Sequence, residues 1–332
     1  MSRYIYPLTF EPQFRDYMWG GRNLERLGYR LPPGIVAEIW AISGHFSSPT
    51  AVDAGPYKGR LLTELLTEMG LDLVGTRNQS ALERGKFPLL IKLLDANKDL
   101  SVQVHPDDAY AQAHENGELG KTEMWYILRA KPGARLIYGL RRGVTREEFL
   151  QALREGKLER CLHYLPVREG DVIFIPTGTV HALLAGLIVV EIQQNSDATY
   201  RVYDWNRLGP DGKPRPLHID KAMDVIDFNR VEPGPAVPEL VEARDSFRRE
   251  VLTRCSYFVV EKIELARGER FTGACDGKTF EIWGCIKGHA TVMWLGNPVE
   301  LPAVRFTLLP AALGTFAIEA REPAVLLRTY VE

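Results

Sequence analysis

The chain has 332 residues, of which 45% are hydrophobic and 25% charged, and its formal net charge at pH 7 is -2. This composition is typical of a soluble globular protein with one large domain or two of ordinary size. Nucleic-acid and anionic-membrane surfaces need a clear excess of basic residues, so neither kind of partner is expected. The four cysteines contain no CxxC pair, which argues against a disulfide framework or a thiolate zinc site.

The N-terminal sequence MSRYIYPLTF lacks the uninterrupted apolar core of a signal peptide. No later stretch approaches the roughly 20 apolar residues that a helix needs to cross a bilayer. Unpaired thiols also suit a reducing compartment. We therefore expect a cytoplasmic protein, either a monomer or a small homo-oligomer.

Short runs of β-forming residues, separated by turns rich in Gly and Pro, recur along the first two thirds of the chain. They cover residues 87–94, 100–105, 123–128, 134–139, 171–176 and 187–194. Many short strands broken by turns favour a sandwich or barrel. Residues 145–165 are predicted to form a helical insertion, because Thr145 and Glu148 make a capping-box pattern ahead of apolar residues at helix spacing.

Residues 229–249 combine three prolines with many charges, which is typical of a connection between domains. We place a domain boundary near residue 240. A weak repeat crosses it, since EMWYIL (123–128) resembles EIWGCI (281–286) and DVIFIPTGTVHAL (171–183) resembles RFTLLPAALGTFAIE (305–319). The second copy has Ala and Phe where the first has a histidine. We therefore expect the second copy to be metal-free.

The segment LSVQVH (100–105) carries two candidate metal ligands. Side chains alternate across a strand, so Gln103 and His105 point to the same face. The same reasoning places Lys121, Glu123 and Trp125 on one face of the next run. A carboxylate thus accompanies a cation and an aromatic side chain.

The segment GDVIFIPTGTVH has the spacing G-x5-P-x-G-x2-H and ends at His181. This spacing resembles the second sequence motif of the cupin superfamily, in which proline and glycine shape a turn that directs the histidine into a barrel. The resemblance implies a mainly β chain of two cupin (jelly-roll) barrels with short helical insertions. Residues 1–240 would form the catalytic metal-binding domain, with an N-terminal extension, and residues 241–332 a degenerate barrel without a metal site.

His105, Glu123 and His181, with Gln103 as a possible fourth member, offer two imidazoles, one carboxylate and one amide oxygen. Zinc accepts such ligands and keeps an open position for water or substrate in catalytic sites. Two histidines with one carboxylate also suit ferrous iron in oxygenases. The ligand set alone does not choose between the two metals.

Seven segments, in chain order, resemble the type I mannose-6-phosphate isomerases, and they match the shorter bacterial branch of that family. They are WGGRNL (19–24), AEIWAIS (37–43), FPLLIKLLDA (87–96), LSVQVHPDD (100–108), GKTEMWYIL (120–128), PTGTVHALLAG (176–186) and VVEIQQNSDATYRVYDW (189–205). The resemblance implies one zinc ion per chain, with the family's ligands on His105, Glu123 and His181. The family's glutamine falls on Gln103, and its coordination of the metal differs among relatives.

The same resemblance implies the residues that handle substrate. The family's catalytic arginine falls on Arg201 and an active-site acidic position on Glu191, while Lys92, Ser101 and Lys121 fall on residues that line the sugar-phosphate pocket. Arg201 and Lys121 are thus candidates both for catalysis and for substrate binding. The proton-carrying base remains open between Glu191, Lys121 and a metal-bound water.

The activity implied is the interconversion of mannose 6-phosphate and fructose 6-phosphate through an enediol, with a small-molecule phosphosugar as the substrate. Negative charge develops on O1 and O2 in this reaction, and a Lewis acid beside those oxygens lowers the barrier. The alternatives are another cupin sugar-phosphate isomerase, an iron-dependent cupin dioxygenase and a non-enzymatic sugar-binding cupin. The cluster of Lys92, Ser101, Lys121 and Arg201 favours a phosphosugar.

Overall fold

The computed structural model describes residues 4–209 and 212–332. Strands dominate these ranges, which confirms the prediction of a mainly β chain. The strands, numbered β1 to β23 in chain order, are Phe10–Glu11, Gln13–Arg15, Glu38–Ser43, Ala51–Val52, Leu89–Ala96, Val102–Val104, Glu123–Ala130, Arg135–Leu140, Leu162–Pro166, Val172–Ile175, His181–Leu183, Leu187–Gln194, Tyr200–Tyr203, Glu239–Arg244, Phe247–Arg254, Val259–Leu265, Arg270–Cys275, Glu281–Lys287, His289–Met293, Val299–Pro302, Arg305–Leu309, Gly314–Ala320 and Ala324–Tyr330.

The helices are short and lie between strands. The α-helices, numbered α1 to α6, are Leu62–Met69, Leu71–Val74, Gln79–Glu83, Asp108–His114, Arg146–Arg154 and Ile219–Val225. Single 3₁₀ turns cover Asn23–Leu27, Thr76–Asn78 and Leu158–Cys161. In the described part of the chain, no helix combines the length and apolar character that a membrane crossing requires.

The predicted helical insertion is only partly correct. Its start is right, because the Thr145 hydroxyl accepts a hydrogen bond of 3.2 Å from the backbone N–H of Glu148 and caps α5. Its end is wrong: α5 stops at Arg154, and Gly156 follows with φ +66°, a left-handed conformation that ends helices. The remaining residues form a 3₁₀ turn and strand β9.

The chain forms two compact units. The central unit comprises Phe14–Ile39 and Lys92–Ala236, and the terminal unit comprises the residues up to Gln13, Trp40–Ile91 and Val237–Glu332, each in its described part. Along the chain, the boundaries between the units fall within β2, β3 and β5 and between Ala236 and Val237.

The predicted division at residue 240 concerned two repeated modules, and it stays a prediction. The compact units follow side-chain packing instead, as when Phe87 packs against Phe280 in the terminal unit with ring centroids 4.9 Å apart. The charged end of the segment predicted as a connection is not an irregular linker, because β14 and β15 pair there as an antiparallel hairpin.

Two sheets build the central unit. One has the strand order β10-β7-β12-β5-β3-β2 and the other β13-β6-β11-β8-β9. A common core joins them, in which Trp125 and Ile127 of β7 pack with Leu136 of β8 and Leu183 of β11. Because side chains alternate along β7, Glu123 points to the same side as Trp125 and Ile127, toward this core.

The terminal unit has two sheets of its own, with the orders β14-β15-β16-β23-β18-β21 and β17-β22-β19-β20. Trp283 of β18, Leu326 of β23, and Phe316 and Ile318 of β22 belong to one core that both sheets share. Each unit therefore places an apolar core between its own pair of sheets.

Candidate metal centre and adjoining cavity

His105, Glu123 and His181 come together inside the central unit. Glu123 begins β7, His181 begins β11, and His105 directly follows β6. Glu123 Oε2 lies 3.6 Å from His105 Nε2, and Glu123 Oε1 lies 3.2 Å from His181 Nε2. One donor atom of each of the three residues lies within 4.8 Å of the other two, and all three side chains are buried.

The cupin-like turn positions two of these residues. The backbone N–H of Gly178 donates a hydrogen bond of 3.0 Å to the carbonyl oxygen of His105. Gly178 has φ +80°, and a Cβ at this position would lie 2.9 Å from the Val225 carbonyl oxygen. Glycine is therefore required where the turn connects the strand before Pro176 to His181.

The hydrogen bonds of the imidazole rings fix which nitrogen can bind a cation. His105 Nδ1 donates to the Ala198 carbonyl and His181 Nδ1 to the Thr179 carbonyl, each over 2.9 Å. A carbonyl oxygen only accepts, so Nδ1 carries the proton and Nε2 presents a lone pair. The Nε2 lone pairs thus face the Glu123 carboxylate.

Buried atoms in this cluster lack hydrogen-bond partners. His105 Nε2 and both carboxylate oxygens of Glu123 are buried without such a partner in the structure. Buried polar atoms are rarely left in this state, and lone pairs that converge on one point repel each other unless a cation lies between them. The donor set therefore fits a metal ion of the kind that imidazole and carboxylate ligands hold.

The local electrostatics keep these groups in the protonation states of metal ligands. Burial, reinforced by the positive charge of Lys121, lowers the pKa of His105 to about 3. Burial alone raises the pKa of Glu123, but the charge of Lys121 and the contact with His105 outweigh it and hold this pKa well below its usual value. A neutral imidazole and an ionised carboxylate are the forms that bind metals.

Gln103 lies next to the cluster. It pairs in register with His181 on one side and with Arg201 on the other, so these three residues form one row across three strands. Its amide nitrogen lies 3.3 Å from His181 Nε2, and a half-turn of the amide group would present its oxygen there instead. The side chain is thus within reach of the same cation.

A cavity of about 240 Å³ adjoins the cluster. Gln103 and Lys121, which lie 3.3 Å from His181 and Glu123 respectively, belong to its lining. Its complete lining is Tyr17, Trp19, Glu38, Lys92, Leu94, Leu100, Ser101, Gln103, Lys121, Trp125, Glu191, Asp197, Thr199, Arg201 and Arg215. Every substrate-handling residue predicted from the sequence is in this set, while the roles assigned to them stay predictions.

Lys121 and Lys92 are both buried beside carboxylates. Lys121 Nζ lies 3.3 Å from Glu123 Oε2. Lys92 Nζ lies 3.3 Å from Glu191 Oε1 and 3.7 Å from Glu38 Oε2. Burial alone lowers the pKa of Lys92, but the charges of Glu38 and Glu191 outweigh it and raise this pKa, so Lys92 stays charged.

Glu191 is held from two sides. Besides Lys92, the indole N–H of Trp125 donates a hydrogen bond of 2.8 Å to Glu191 Oε2. Burial and the nearby charge of Glu123 raise the pKa of Glu191, and Lys92 opposes them. A buried carboxyl with a raised pKa at a cavity wall is suited to accept and return a proton.

Arg201 pairs in register with Gln103, and its side chain extends along the cavity lining to Ser101. Its Nε donates to the Ser101 hydroxyl over 3.3 Å, and its Nη1 donates to the Pro216 carbonyl over 2.9 Å. Burial and the charge of Arg215 lower the pKa of Arg201 below the ordinary arginine value. A guanidinium group nevertheless keeps its charge at neutral pH. A permanent positive charge therefore lines the cavity here.

Sequence reasoning missed five charged or polar lining residues. They are Tyr17, Glu38, Asp197, Thr199 and Arg215. Glu38 stands two residues before Trp40, the same E-x-W spacing as Glu123 and Trp125, and this signal was available in the sequence. Arg215 has no comparable signal, because only the folded chain brings it to the cavity.

The fold and the site together define a mainly β protein with a buried imidazole and carboxylate cluster that fits a metal ion, beside a cavity lined by charged residues of both signs. Residues 8–126 match the family model described as phosphomannose isomerase type I, catalytic domain.

Two comparisons extend the match over nearly the whole chain. A probable mannose-6-phosphate isomerase of Bacillus subtilis, GmuF, is 39% identical over 95% of this chain and 96% of its own length. A crystal structure of the mannose 6-phosphate isomerase from Bacillus subtilis is 36% identical, with a TM-score of 0.87 over 98% of this chain and 99% of that one. A mannose-6-phosphate isomerase of Streptococcus mutans is 41% identical over 78% of this chain and 79% of its own. The chain belongs to the type I phosphomannose isomerase family.

Proposed function

We propose that this chain is a zinc-dependent aldose-ketose isomerase that interconverts D-mannose 6-phosphate and D-fructose 6-phosphate. The observation that carries the proposal is the buried cluster of His105, Glu123 and His181 beside a cavity lined by Glu191 and Arg201. The names of the relatives support this choice of substrate. A cytoplasmic location, a monomeric or small homo-oligomeric state and the absence of nucleic-acid and membrane partners stay predictions.

His105, Glu123 and His181 would hold the zinc ion, with Gln103 as a fourth ligand. Bound there, zinc would supply a Lewis acid that stabilises negative charge on O1 and O2 of the sugar. Lys121, 3.3 Å from Glu123, would hold the carboxylate in place. The preference for zinc over ferrous iron rests on the family resemblance.

The reaction needs a group that moves a carbon-bound proton. In the forward direction a proton leaves C2 of mannose 6-phosphate, an enediol forms, and a proton returns to C1 to give the ketose. We assign this transfer to Glu191, since its carboxyl lines the cavity and its pKa is raised by burial. Lys121 is a weaker candidate, because its ammonium group is engaged with Glu123.

The ammonium group of Lys92 lies close to two carboxylates. Its ammonium group lies between Glu38 and Glu191, and the side chain is 2% exposed. We propose that its charge mainly controls the protonation of Glu191, while the phosphate contact inferred from the resemblance stays a prediction. Arg201 and Ser101 would orient the sugar in the cavity.

A coupled assay tests the proposed function. Mannose 6-phosphate is supplied with phosphoglucose isomerase, glucose-6-phosphate dehydrogenase and NADP, and NADPH formation is followed by absorbance. We expect turnover that disappears after chelation and dialysis and returns on addition of zinc. Turnover that is unaffected by complete metal removal would refute the catalytic-metal proposal.

The coupled assay, an oxygen electrode and calorimetry together separate the alternatives. A related isomerase with another epimer as substrate gives no NADPH from mannose 6-phosphate and turns over a different aldose 6-phosphate. An iron-dependent dioxygenase consumes oxygen only after refilling with ferrous iron, which an oxygen electrode detects. A non-enzymatic sugar-binding protein binds the phosphosugar in calorimetry without turnover.

A further inference from the structure

Arg215 lines the cavity, and a buried carboxylate holds it there. Its Nε donates to Asp204 Oδ2 over 2.8 Å and its Nη2 to Asp204 Oδ1 over 2.6 Å. This two-point contact is the geometry in which guanidinium and carboxylate bind most strongly. It leaves Nη1 of Arg215 without a hydrogen-bond partner among the described residues.

Asp204 serves more than one arginine. Arg207 donates to Asp204 Oδ1 through Nε at 3.1 Å and Nη2 at 2.7 Å. Burial alone raises the pKa of Asp204, but the hydrogen bonds from Arg215 and Arg207 outweigh it and lower this pKa, so the carboxylate stays ionised. One negative charge thus faces two guanidinium groups, and the excess charge is positive.

A further positive charge, that of Arg201, lies nearby. Its side chain begins opposite Gln103, and its Nε reaches the Ser101 hydroxyl. Ser101 and His105 flank the extended strand β6 on either side, and a separation of four residues corresponds to about 13 Å between Cα atoms at roughly 3.3 Å per residue. The Arg201 guanidinium therefore points away from the metal cluster, toward the part of the cavity that Arg215 lines.

A hexose 6-phosphate has the matching arrangement of charge. Its reacting oxygens are at C1 and C2, and its phosphoryl dianion is at the opposite end of the carbon chain. Bound with O1 and O2 toward the metal cluster, it would extend its dianion in the direction of Arg201. Guanidinium groups bind phosphoryl oxygens through charge-assisted hydrogen bonds.

We propose that Arg215, held in position by Asp204, binds the phosphoryl group of the substrate together with Arg201. Arg215 is then a substrate-binding residue, and Asp204 is a positioning residue that acts through it. The inference rests on the proposed function for the identity of the substrate. The prediction of a dianion subsite at Arg215 also applies to inorganic phosphate alone.

The first measurement uses the Arg215→Gln variant in the coupled assay. Loss of one charged hydrogen-bond donor is expected to raise KM for mannose 6-phosphate by about 10- to 100-fold, with a smaller change in kcat. The inhibition constant of inorganic phosphate is expected to rise in parallel. Arg215→Lys, which keeps the charge but loses the planar fork, is expected to give intermediate values and guards against a folding defect in the glutamine variant.

Arg129→Gln is the matched control. Arg129 also makes a two-oxygen contact with one carboxylate, that of Glu169, but it is exposed and lies outside the cavity lining. We expect its kinetic constants to equal those of the wild type. An Arg215→Gln variant that matches this control, or that loses kcat with KM and phosphate inhibition unchanged, would overturn the proposal.

Asp204→Asn tests the positioning role. We expect KM to rise less than in Arg215→Gln, and the double variant to show no rise beyond that of Arg215→Gln alone. An additive rise in KM would show that Asp204 acts independently of Arg215. If the wild type does not isomerise mannose 6-phosphate, the proposed function fails, and calorimetric binding of inorganic phosphate to wild type and Arg215→Gln still decides the dianion subsite.

Discussion

Glu123 and Glu281 occupy matching positions in the two units. Glu123 of β7 pairs with Ile175 of β10, and Glu281 of β18 pairs with Leu309 of β21. Each partner directly precedes a proline, and each glutamate stands two residues before a tryptophan. The order β10-β7-β12 in one sheet corresponds to β21-β18-β23 in the other, as the weak sequence repeat suggested.

The two carboxylates differ in what faces them. Both oxygens of Glu123 lack a hydrogen-bond partner and face imidazole nitrogens. Both oxygens of Glu281 accept hydrogen bonds from the guanidinium of Arg328, with Nε at 2.8 Å from Oε2. In the terminal unit, an arginine therefore supplies the positive charge that a metal ion would supply in the central unit.

Arg328→Ala is expected to destabilise the terminal unit strongly. Arg328 also contacts Glu261, which keeps Arg249 as a second partner, so the removal of Arg328 leaves the buried Glu281 carboxylate without a cation. Breaking a buried pair in this way costs about 3–5 kcal/mol, which urea unfolding measures. Arg270→Ala, which removes an exposed arginine paired with Glu319, is the control and should cost less than about 1 kcal/mol. Equal losses in the two variants would contradict this account of Arg328.

Glu123→Gln and His181→Ala are expected to lose bound zinc and turnover together. Each change removes one ligand of the proposed set, and the amide of glutamine lacks the charge of a carboxylate. We expect zinc content by mass spectrometry to fall well below one ion per chain and kcat to fall by at least about 10²-fold. His163→Ala is the control, because His163 donates to the Tyr138 carbonyl outside the cluster and should keep its zinc. Full zinc content in both ligand variants would exclude the ligand set.

Gln103→Ala tests the fourth ligand. If the amide oxygen coordinates zinc or orients a ligand, its removal should weaken zinc affinity by about 10- to 100-fold, as measured with a competing chelator. Gln151→Ala, on the exposed side of α5, should leave the affinity unchanged. Unchanged affinity in Gln103→Ala would restrict the set to His105, Glu123 and His181.

Lys92→Met is expected to move the pH dependence of kcat/KM. Glu191 has a pKa raised by burial and by Glu123, and Lys92 lowers it, so removing the charge of Lys92 raises this pKa further. The proton transfer assigned to Glu191 needs the ionised carboxylate, so activity is lost as pH falls through this pKa. The acidic limb should therefore shift to higher pH by about one pH unit or more.

The exposed Lys131 provides the control for this shift. A Lys131→Met variant should show the acidic limb of the wild type. An acidic limb that stays in place in Lys92→Met, or that moves to lower pH, would refute the assignment of proton transfer to a Glu191 carboxyl controlled by Lys92.

The sequence predicted strands β5, β6, β7, β8, β10 and β12 because their signals are local. All six predicted runs contain a strand, since alternating apolar residues and flanking turns are read over a few positions. The end of α5 was missed because apolar spacing continues past Gly156, while the left-handed backbone at that glycine stops the helix. The grouping of Trp40–Ile91 with the terminal unit was also missed, because packing between distant segments has no local signal.

By itself, the sequence determined the mainly β fold and the candidate ligands His105, Glu123 and His181, because strand alternation and motif spacing are set within short segments. Only the tertiary structure decided which charges meet. Lys92 contacts Glu38 and Glu191, and Asp204 holds Arg215, through pairings that depend on how strands are ordered and how loops fold back. The ionisation of Glu191 and the position of the Arg215 guanidinium follow from those long-range contacts.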